Sequence, residues 1–485
     1  MKRPSSAGKA ITLDSTTATG AFTLVVAGDD AHETGRRLNA EISAKQTAVL
    51  IANSADHRIH LFCAIRGWYD RFCMIYQKLS PALLLVLFAV VPTSAQEWSQ
   101  WRGPGRDGFV SEKSAPAAWP EKLERAWRVE VGEGYSSPVV AGGRAFVHGR
   151  RDPEEIVAAV NLADGKVIWE QKYKADFKKN QYAVQMAKGP NSTPLVIGNR
   201  LFTLGVTGVL NAWDTATGKQ LWTRDFSPSI DTSKLFCGTA ASPLAVNGRL
   251  VVQVGSDIHG GKVLGLDPAT GKTQWEWSGL GPGYASPVVI DVAGQSQIVT
   301  LTEGSIVGLD AKNGRELWSV PFADEWHENI STPTWTGTHL IVSGVRQGTH
   351  AYSLVEKSGK WQATEVWKNP DVAMYMSSPV FADGLIYAHS SKKKGQFVAL
   401  DAKTGTLRWA TEGREGEHAS LLLTPQHVVF LTNGADLIVV KRGAPAFAAE
   451  RRYEVAESAT WPMPVLLGSN ILVRDATGLL LLTGK

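Results

Sequence analysis

With 485 residues and 44% hydrophobic residues, the chain is long enough for about three ordinary domains and can bury a sizeable core. Residues 1–95 hold 10 basic and 7 acidic side chains, so 40 basic and 39 acidic side chains remain in residues 96–485. Lys392–Lys394 is the only dense basic run of that part. This balance argues against nucleic-acid binding and anionic-membrane binding, because both favour a clustered basic surface.

The first 95 residues carry none of the repeats found later in the chain. Residues 1–73 are rich in Ser, Thr and Ala, whereas residues 74–95 have a charged start, an apolar run over 82–91 and small residues before Gln96. That pattern is typical of a secretory signal peptide, and the apolar run is shorter than the roughly 20 residues that span a bilayer. We predict a leader over 1–73, outside the mature protein, and a signal peptide over 74–95. A disordered leader with an internal anchor is the alternative.

Cleavage at this point predicts an exported mature chain, periplasmic or extracellular, that starts near Gln96 and has no transmembrane segment. Its start, Trp98 to Gly108, is rich in glycine but lacks the strand-before, helix-after context of a phosphate loop. We interpret residues 96–119 as an N-terminal strap along the edge of the domain that follows, with Trp98 and Trp101 as anchors.

From residue 120 onward, one phrase recurs: an apolar run, an Asp or Asn, a turn that ends in Gly, and a Trp three or four residues later. Two apolar runs around such a turn predict a β-hairpin, because Asp bonds its own backbone and Gly supplies a positive φ. The copies are centred on Gly165, Gly218, Gly271, Gly314 and Gly405, with Trp169, Trp222, Trp275, Trp318 and Trp409 following them.

A second phrase, Ser-Ser-Pro or a close variant, opens an apolar strand in each unit. Clear copies end at Pro138, Pro194, Pro243, Pro287, Pro333 and Pro379, and degenerate copies lie at Ala419–Leu421 and Pro462–Pro464. Together the two phrases predict four short strands in about 42–56 residues, the length of a propeller blade.

The aromatic strands number eight, because Trp127 precedes the first complete unit and Tyr453 stands in the last position. The strand around Trp127 has no blade before it, and the hairpin at residues 471–482 has no aromatic strand after it. We therefore predict an all-β, eight-bladed β-propeller over residues 120–485, with the last blade closed by the N-terminal strand. Seven blades is the alternative, because the units at Trp367 and Tyr453 are degenerate.

These phrases resemble the pyrroloquinoline-quinone (PQQ) repeat, which forms the blades of quinoprotein dehydrogenases and of BamB-like proteins of outer-membrane assembly. The resemblance covers roughly residues 120–485 and implies the eight-bladed ring, but it leaves the activity open. A dehydrogenase would bind PQQ with Ca²⁺, whereas a BamB-like protein binds partners and carries no quinone.

The chain departs from both groups. The dehydrogenases typically have an adjacent Cys-Cys pair, a catalytic Asp and Ca²⁺ ligands, but here only Cys237 follows the leader and no ligand set can be matched. We interpret Cys237 as a buried apolar residue rather than a reactive thiol. The BamB-like lipoproteins have a lipidated Cys that is missing here, and shorter loops than those at 174–191 and 226–240.

The segments before the strand openings are expected to meet at one mouth of the central channel. Apolar walls with a few polar groups are typical of a small-molecule or peptide site, although the same residues also suit a purely structural cap. The candidate ligand-binding residues are Tyr135, Asn191, Tyr284, His327, Glu328, Asn329, Tyr375, Glu417, His418 and Trp461.

No metal is expected, because the His–Glu pairs of this set lack the spacing of a metal site. No catalytic residue is assigned, and no cofactor is expected. The sequence thus predicts a monomeric binding or assembly module for a protein partner or a small ligand at the channel mouth. A PQQ-dependent dehydrogenase with Ca²⁺ is the alternative, and a sensor or scaffold for a polysaccharide or peptide is a third reading.

Overall fold

The computed structural model describes residues 97–183, 186–229, 235–256, 260–323 and 326–485, together with four short strands between residues 22 and 64. The chain divides into two units, Met1–Val91 and Pro92–Lys485. In the first unit, Phe22–Thr23 pairs with Asn39–Ala40, and Thr47–Asn53 pairs with Arg58–Ala64. The predicted signal peptide lies outside the described residues.

The second unit contains eight four-stranded antiparallel sheets, which are the blades of a β-propeller. The eight-bladed prediction is confirmed, and the seven-bladed alternative was wrong. The strands are, in blade 1, Val139–Ala141, Arg144–Arg151, Glu154–Asn161 and Val167–Lys174; in blade 2, Leu195–Ile197, Arg200–Leu204, Val209–Asp214 and Gln220–Asp225; in blade 3, Leu244–Val246, Arg249–Ser256, Gly260–Leu266 and Thr273–Gly279; in blade 4, Val288–Val292, Gln295–Leu301, Ser305–Asp310 and Glu316–Pro321.

The second half of the ring has the same plan. The strands are, in blade 5, Thr334–Trp335, Leu340–Gly344, Gly348–Lys357 and Lys360–Asn369; in blade 6, Val380–Ala382, Leu385–Ser390, Gln396–Asp401 and Leu407–Ala410; in blade 7, Ala419–Leu423, His427–Thr432, Asp436–Lys441 and Ala449–Glu454; in blade 8, Val465–Leu467, Asn470–Arg474, Gly478–Gly484 and, from the N-terminal side, Leu123–Glu130.

Short 3-10 turns occur at Gln181–Ala183, Ser227–Ser229 and Lys392–Lys394. Among the described residues, no helix has the length and apolar character needed to cross a bilayer.

Blade 8 closes the ring as predicted. Its third strand, Gly478–Gly484, lies between Asn470–Arg474 and the N-terminal strand Leu123–Glu130, with Leu481 opposite Trp127. The two ends of the propeller are therefore held in one sheet, which covers edges that would otherwise stay unpaired.

The Asp-to-Gly turn of one blade is the docking surface for the Trp of the preceding blade. Asp214 Oδ1 accepts the backbone N–H groups of Ala216 and Thr217, which shapes the turn. At Gly218, with φ +71°, a Cβ would lie 2.6 Å from the Trp169 ring, so only glycine lets the indole pack flat on the turn. Trp169 Nε1 also donates to the Thr215 carbonyl (3.0 Å).

The same Trp-to-carbonyl bond recurs around the ring, which explains why the phrase repeats. The other pairs are Trp127 with Leu162, Trp222 with Pro268, Trp367 with Ala402 and Trp409 with Ala444. Two tryptophans differ. Trp318 Nε1 donates to Gln297 Oε1 (2.7 Å), because blade 5 has a long hairpin in place of the Asp-to-Gly turn. Trp275 Nε1 is buried without a hydrogen-bond partner.

In several strand openings, the hydroxyl of the second residue links neighbouring blades. The Ser137 hydroxyl accepts the N–H of Met463 (2.9 Å), and the Ser137 N–H is donated to Thr193 Oγ1 (3.1 Å). Thr193 N–H is donated in turn to Ser242 Oγ (3.0 Å). The series continues from Ser242 N–H to Ser286 Oγ (2.9 Å), and a separate bond joins Thr332 N–H to Ser378 Oγ (3.0 Å). These bonds therefore link blades 8, 1, 2, 3 and 4 and, separately, blades 5 and 6. The sequence predicted the strand openings but not this role of their hydroxyls.

The N-terminal strap begins at the centre of the ring. Trp98 N–H is donated to the Val140 carbonyl of blade 1 (2.8 Å), while the Arg106 guanidinium donates to the Pro243 carbonyl of blade 3 (2.7 Å). Arg102 donates to the Pro379 carbonyl of blade 6. Burial lowers the pKa of Arg102 to about 10 and that of Arg106 to about 9.

Only the second part of the strap runs away from the inner strands: Trp119 Nε1 donates to His427 Nδ1 (3.2 Å) on the second strand of blade 7. The expectation of a strap along the propeller edge was therefore wrong for its first half, residues 97–110. That half lies against the inner strands, because its two buried guanidinium groups donate to backbone carbonyls there.

Candidate ligand pocket at the channel mouth

A pocket of about 150 Å³ lies in the central channel, between the segments that precede the first strands. Trp101 of the strap contributes to its wall and donates to Thr332 Oγ1 (3.4 Å) of blade 5. The lining residues are Trp101, Tyr135, Met186, Asn191, Phe236, Cys237, Ala240, Ser242, Tyr284, Ser286, Ile330, Thr332, Met376, Ser378, His418 and Trp461.

Two long loops build one side of this pocket, each held by a tyrosine hydroxyl. Tyr135 Oη accepts the N–H of Ala187 in the loop after blade 1 (3.0 Å). Tyr284 Oη accepts the N–H of Phe236 in the loop after blade 2 (2.9 Å). These are the loops at 174–191 and 226–240 that distinguish the sequence from the BamB-like pattern.

Asn191 ties the two loops together. Its Nδ2 donates to the Cys237 carbonyl (2.9 Å), whereas its Oδ1 is buried and has no hydrogen-bond partner. The Nδ2 bond fixes the orientation of the amide, so Oδ1 remains a buried acceptor without a partner.

Three neighbouring rings also line the pocket. The Trp461 ring lies 5.1 Å from that of Tyr135 and 5.4 Å from that of His418, measured between centroids. His418 is within hydrogen-bond distance of the Ser377 hydroxyl through Nδ1 (3.2 Å) and of the Trp461 carbonyl through Nε2 (3.1 Å). Burial, with a contribution from His389, lowers the pKa of His418 to about 3, so the ring is neutral near pH 7.

The pocket lining is electrically neutral. It contains aromatic, thioether, hydroxyl, amide and neutral imidazole groups but no Asp, Glu, Lys or Arg. Burial, and the nearby Glu328 carboxylate, raise the pKa of the Cys237 thiol to about 12, so this group stays protonated. Within the described part of the chain, no three His, Cys, Asp or Glu side chains are placed to hold a metal ion.

The structure brings five of the ten predicted residues into the lining: Tyr135, Asn191, Tyr284, His418 and Trp461.

The other five lie outside the lining. Tyr375 Oη donates to Glu328 Oε2 (2.6 Å), and Asn329 Nδ2 donates to the carbonyls of Thr302 and Phe322, which are structural bonds. The side chains of two further candidates are exposed, namely His327 and Glu417.

Several lining residues were missed by the sequence reasoning. Four of the missed lining residues carry a hydroxyl and occupy the second position of a strand opening, so the repeat in the sequence could have identified them. They are Ser242, Ser286, Thr332 and Ser378. The repeat gives no information on the paths of the strap and the two loops. It therefore could not identify Trp101, Met186 and Phe236 as lining residues.

Comparison with protein families gives overlapping matches over residues 153–411 and 302–478 to a family described as outer membrane protein assembly factor BamB. The BamB of Moranella endobia (strain PCIT) is 26% identical over 309 residues, which are 60% of this chain and 74% of that protein. The quinohemoprotein alcohol dehydrogenase of Comamonas testosteroni is 25% identical over 303 residues. That match spans 54% of this chain but only 37% of the dehydrogenase.

Solved structures of both kinds share the fold. A europium-containing methanol dehydrogenase superposes with a TM-score of 0.60 at 15% identity, over 81% of this chain and 92% of its own. BamB from Moraxella catarrhalis gives a TM-score of 0.52 at 14% identity, over 75% of this chain and 98% of its own. At these identities the likeness shows the fold alone, so a choice between binding and dehydrogenase roles has to rest on the pocket.

Proposed function

Because the chain belongs to the family of PQQ-like repeat propellers described as outer membrane protein assembly factor BamB, we propose that it is an exported binding module. Its channel-mouth pocket holds an uncharged, largely apolar group of a partner or small ligand. The observation that supports this proposal is the lining itself, with aromatic and thioether walls and no charged side chain. Apolar walls with a few placed polar groups are the usual composition of a ligand pocket.

The pocket residues do not fit a PQQ–Ca²⁺ pair. PQQ is a three-ring quinone with three carboxylates, and buried carboxylates need cationic or metal partners. The lining supplies no such partner. We therefore propose a role without a resident quinone.

Export and a protein partner are part of the same proposal. The relatives described as outer membrane protein assembly factors favour a protein partner, and the signal-like segment at 74–95 favours a mature start near Gln96. N-terminal sequencing of the native protein tests this, because residues 1–73 still attached would contradict it.

The pocket is tested with two molecules of similar shape and different charge, p-cresol and 4-methylbenzoate. Ligand-observed NMR should show p-cresol binding to the full chain and little or no binding of the carboxylate, since the lining offers it no cationic partner. Ala240→Phe, which fills the pocket from its wall, should abolish the p-cresol signal.

The dehydrogenase alternative has its own test. Incubation with PQQ and Ca²⁺, followed by dialysis, absorbance and dye reduction with alcohols and sugars, should leave neither bound quinone nor turnover. One retained quinone per chain together with turnover would overthrow the proposal.

A further inference from the structure

We propose that the channel-mouth pocket recognises an uncharged apolar ligand through a carbonyl oxygen on that ligand. This inference rests on the proposed function and names the ligand chemistry for the same site. Two features carry it: hydrogen-bond donors of the lining that no protein group uses, and side-chain acceptors that the protein already uses.

The indole N–H of Trp461 is an unused donor in the pocket wall. Trp461 is partly exposed, and its Nε1 donates to no acceptor in the described part of the chain. Unlike the Nε1 of Trp275, this nitrogen is not fully buried. The other indole of the lining differs, because Trp101 Nε1 donates to Thr332 Oγ1 (3.4 Å). Trp461 therefore offers an N–H that a ligand can reach.

Ser378 adds a second donor to the same lining. Its Oγ accepts the Thr332 N–H (3.0 Å), which holds the oxygen in place, while its own O–H donates to no group among the described residues. Ser378 is also partly exposed. An O–H and an N–H without protein acceptors favour a ligand that brings an acceptor oxygen.

The side-chain acceptors of the lining are engaged by the protein. The phenol oxygens of Tyr135 and Tyr284 each accept a loop N–H, and both ring nitrogens of His418 bond to protein groups. The Asn191 Oδ1 atom is buried, so a ligand in the pocket does not reach it. A sugar or a peptide would bring O–H or N–H groups that stay unpaired, which is costly. The lining therefore favours an oxygen without hydrogen, such as that of a ketone.

The charge around the pocket favours a neutral oxygen over a carboxylate. The lining has no cationic side chain, and burial together with the nearby Glu328 carboxylate raises the pKa of the Cys237 thiol to about 12. An anionic ligand would meet the same carboxylate and find no cationic partner. A ketone keeps the acceptor and avoids this cost.

The test compares 4-methylacetophenone with 4-ethyltoluene, in which a methylene group replaces the carbonyl group. Ligand-observed NMR titration of the full chain gives the ratio of the two affinities, which removes the contribution of the shared apolar body. Trp461→Phe keeps an aromatic ring but lacks the N–H. It should lower the ketone-to-hydrocarbon ratio about 2- to 10-fold, the range expected for one hydrogen bond.

Trp101→Phe is the matched control. It also replaces an indole of the lining with a phenyl ring, but the Trp101 N–H is held by Thr332, so the affinity ratio should stay within about twofold.

Infrared spectroscopy of the bound ketone gives a second readout that does not depend on protein stability. A hydrogen bond weakens the carbonyl bond, so the carbonyl stretch should lie at lower frequency in the wild-type protein than in Trp461→Phe.

The outcomes distinguish this inference from the proposed function. An affinity ratio and a carbonyl stretch that are unchanged in Trp461→Phe would overturn the inference, while the neutral pocket stands. Tighter binding of acetyl-phenylalanine methylamide than of the ketone would refute the preference for a ligand without donors. If 4-methylbenzoate binds as tightly as the ketone, or if p-cresol, the ketone and the hydrocarbon all fail to bind, the proposed function fails as well.

Discussion

At the residue scale, Gly405 and Gly248 have the same backbone conformation, φ +70°, in different surroundings. A Cβ on Gly405 would lie 2.4 Å from the Trp367 ring, whereas one on Gly248 would meet nothing within 4 Å. Gly248→Ala should therefore cost only the left-handed strain, about 1–2 kcal/mol. Gly405→Ala should cost about 1–3 kcal/mol more, because it overpacks the buried indole.

Urea unfolding of both variants measures the difference. Equal losses of unfolding free energy would show that Trp367 does not depend on the glycine beneath it, and the docking explanation of the repeat would then be wrong.

His389 and His418 form a buried pair that flanks the Ser377 hydroxyl, with Nδ1 atoms 3.4 and 3.2 Å from Oγ. Burial lowers the pKa of His389 to about 4 and that of His418 to about 3, the latter also through His389. An unfolded His titrates near 6.5, so between about pH 6.5 and 4 the unfolded chain binds protons that the folded chain does not. Stability is complete above pH 6.5 and falls as the pH decreases.

We expect the free energy of unfolding to drop by up to about 1.4 kcal/mol per pH unit for each of the two rings below pH 6.5. Urea titrations at pH 7.5, 6.5 and 5.5 measure this slope, and His389→Gln should reduce it. His327→Gln, at an exposed side chain, is the control and should keep the wild-type slope. A His389→Gln protein with an unchanged slope would contradict the assignment.

At the element scale, the strand opening Ser136-Ser137-Pro138 provides an internal comparison. Both serine side chains are buried, but only the Ser137 hydroxyl accepts a backbone N–H, that of Met463, while the Ser136 hydroxyl has no partner. Ser137→Ala leaves the Met463 N–H unpaired and should cost about 1–3 kcal/mol, whereas Ser136→Ala should be close to neutral.

Thermal and urea unfolding of the two variants test whether the second position links the blades. A larger loss for Ser136→Ala than for Ser137→Ala would assign the repeated hydroxyl another role.

The structure of the repeat unit also explains how much of the pocket lining could be predicted from the sequence. The repeat locates the segments at the channel mouth, because the mouth segment of each blade directly precedes its strand opening. It does not say which residue of a segment faces inward: Asn329 turns to the carbonyls of Thr302 and Phe322, and His327 lies exposed with φ +57°. Those directions depend on loop contacts that differ from blade to blade.

At the scale of the whole molecule, the ring could be predicted because most blades are local units, and blades 1, 2, 3, 4 and 6 each carry the Asp-to-Gly turn. Blade 5 shows the limit, since its long hairpin of Gly348–Lys357 and Lys360–Asn369 lacks this turn, as do blades 7 and 8. The path of the strap could not be predicted either. It is set by carbonyls on blades 3 and 6 that accept from Arg106 and Arg102, contacts separated by well over a hundred residues in the chain.

Closure of the ring in blade 8 can be tested by truncating the C-terminus. Removing residues 475–485 deletes the third strand of blade 8 and leaves Asn470–Arg474 and Leu123–Glu130 with open edges. It also removes the buried side chains of Leu479 and Leu480 from the core. We expect the truncated chain to unfold at a lower temperature with lower cooperativity and to aggregate, because open strand edges pair with other chains.

Circular dichroism during heating and size-exclusion chromatography measure both effects. Removal of Lys485 alone is the matched control, since it takes away one backbone hydrogen bond to the Lys122 carbonyl and an exposed ion pair with Glu124, which contributes at most about 1 kcal/mol. A chain lacking residues 475–485 that stays monomeric and melts cooperatively at the wild-type temperature would contradict closure by the N-terminal strand. In that case the stability of the ring would have to come from the blades one by one, and the joint sheet of blade 8 would be dispensable.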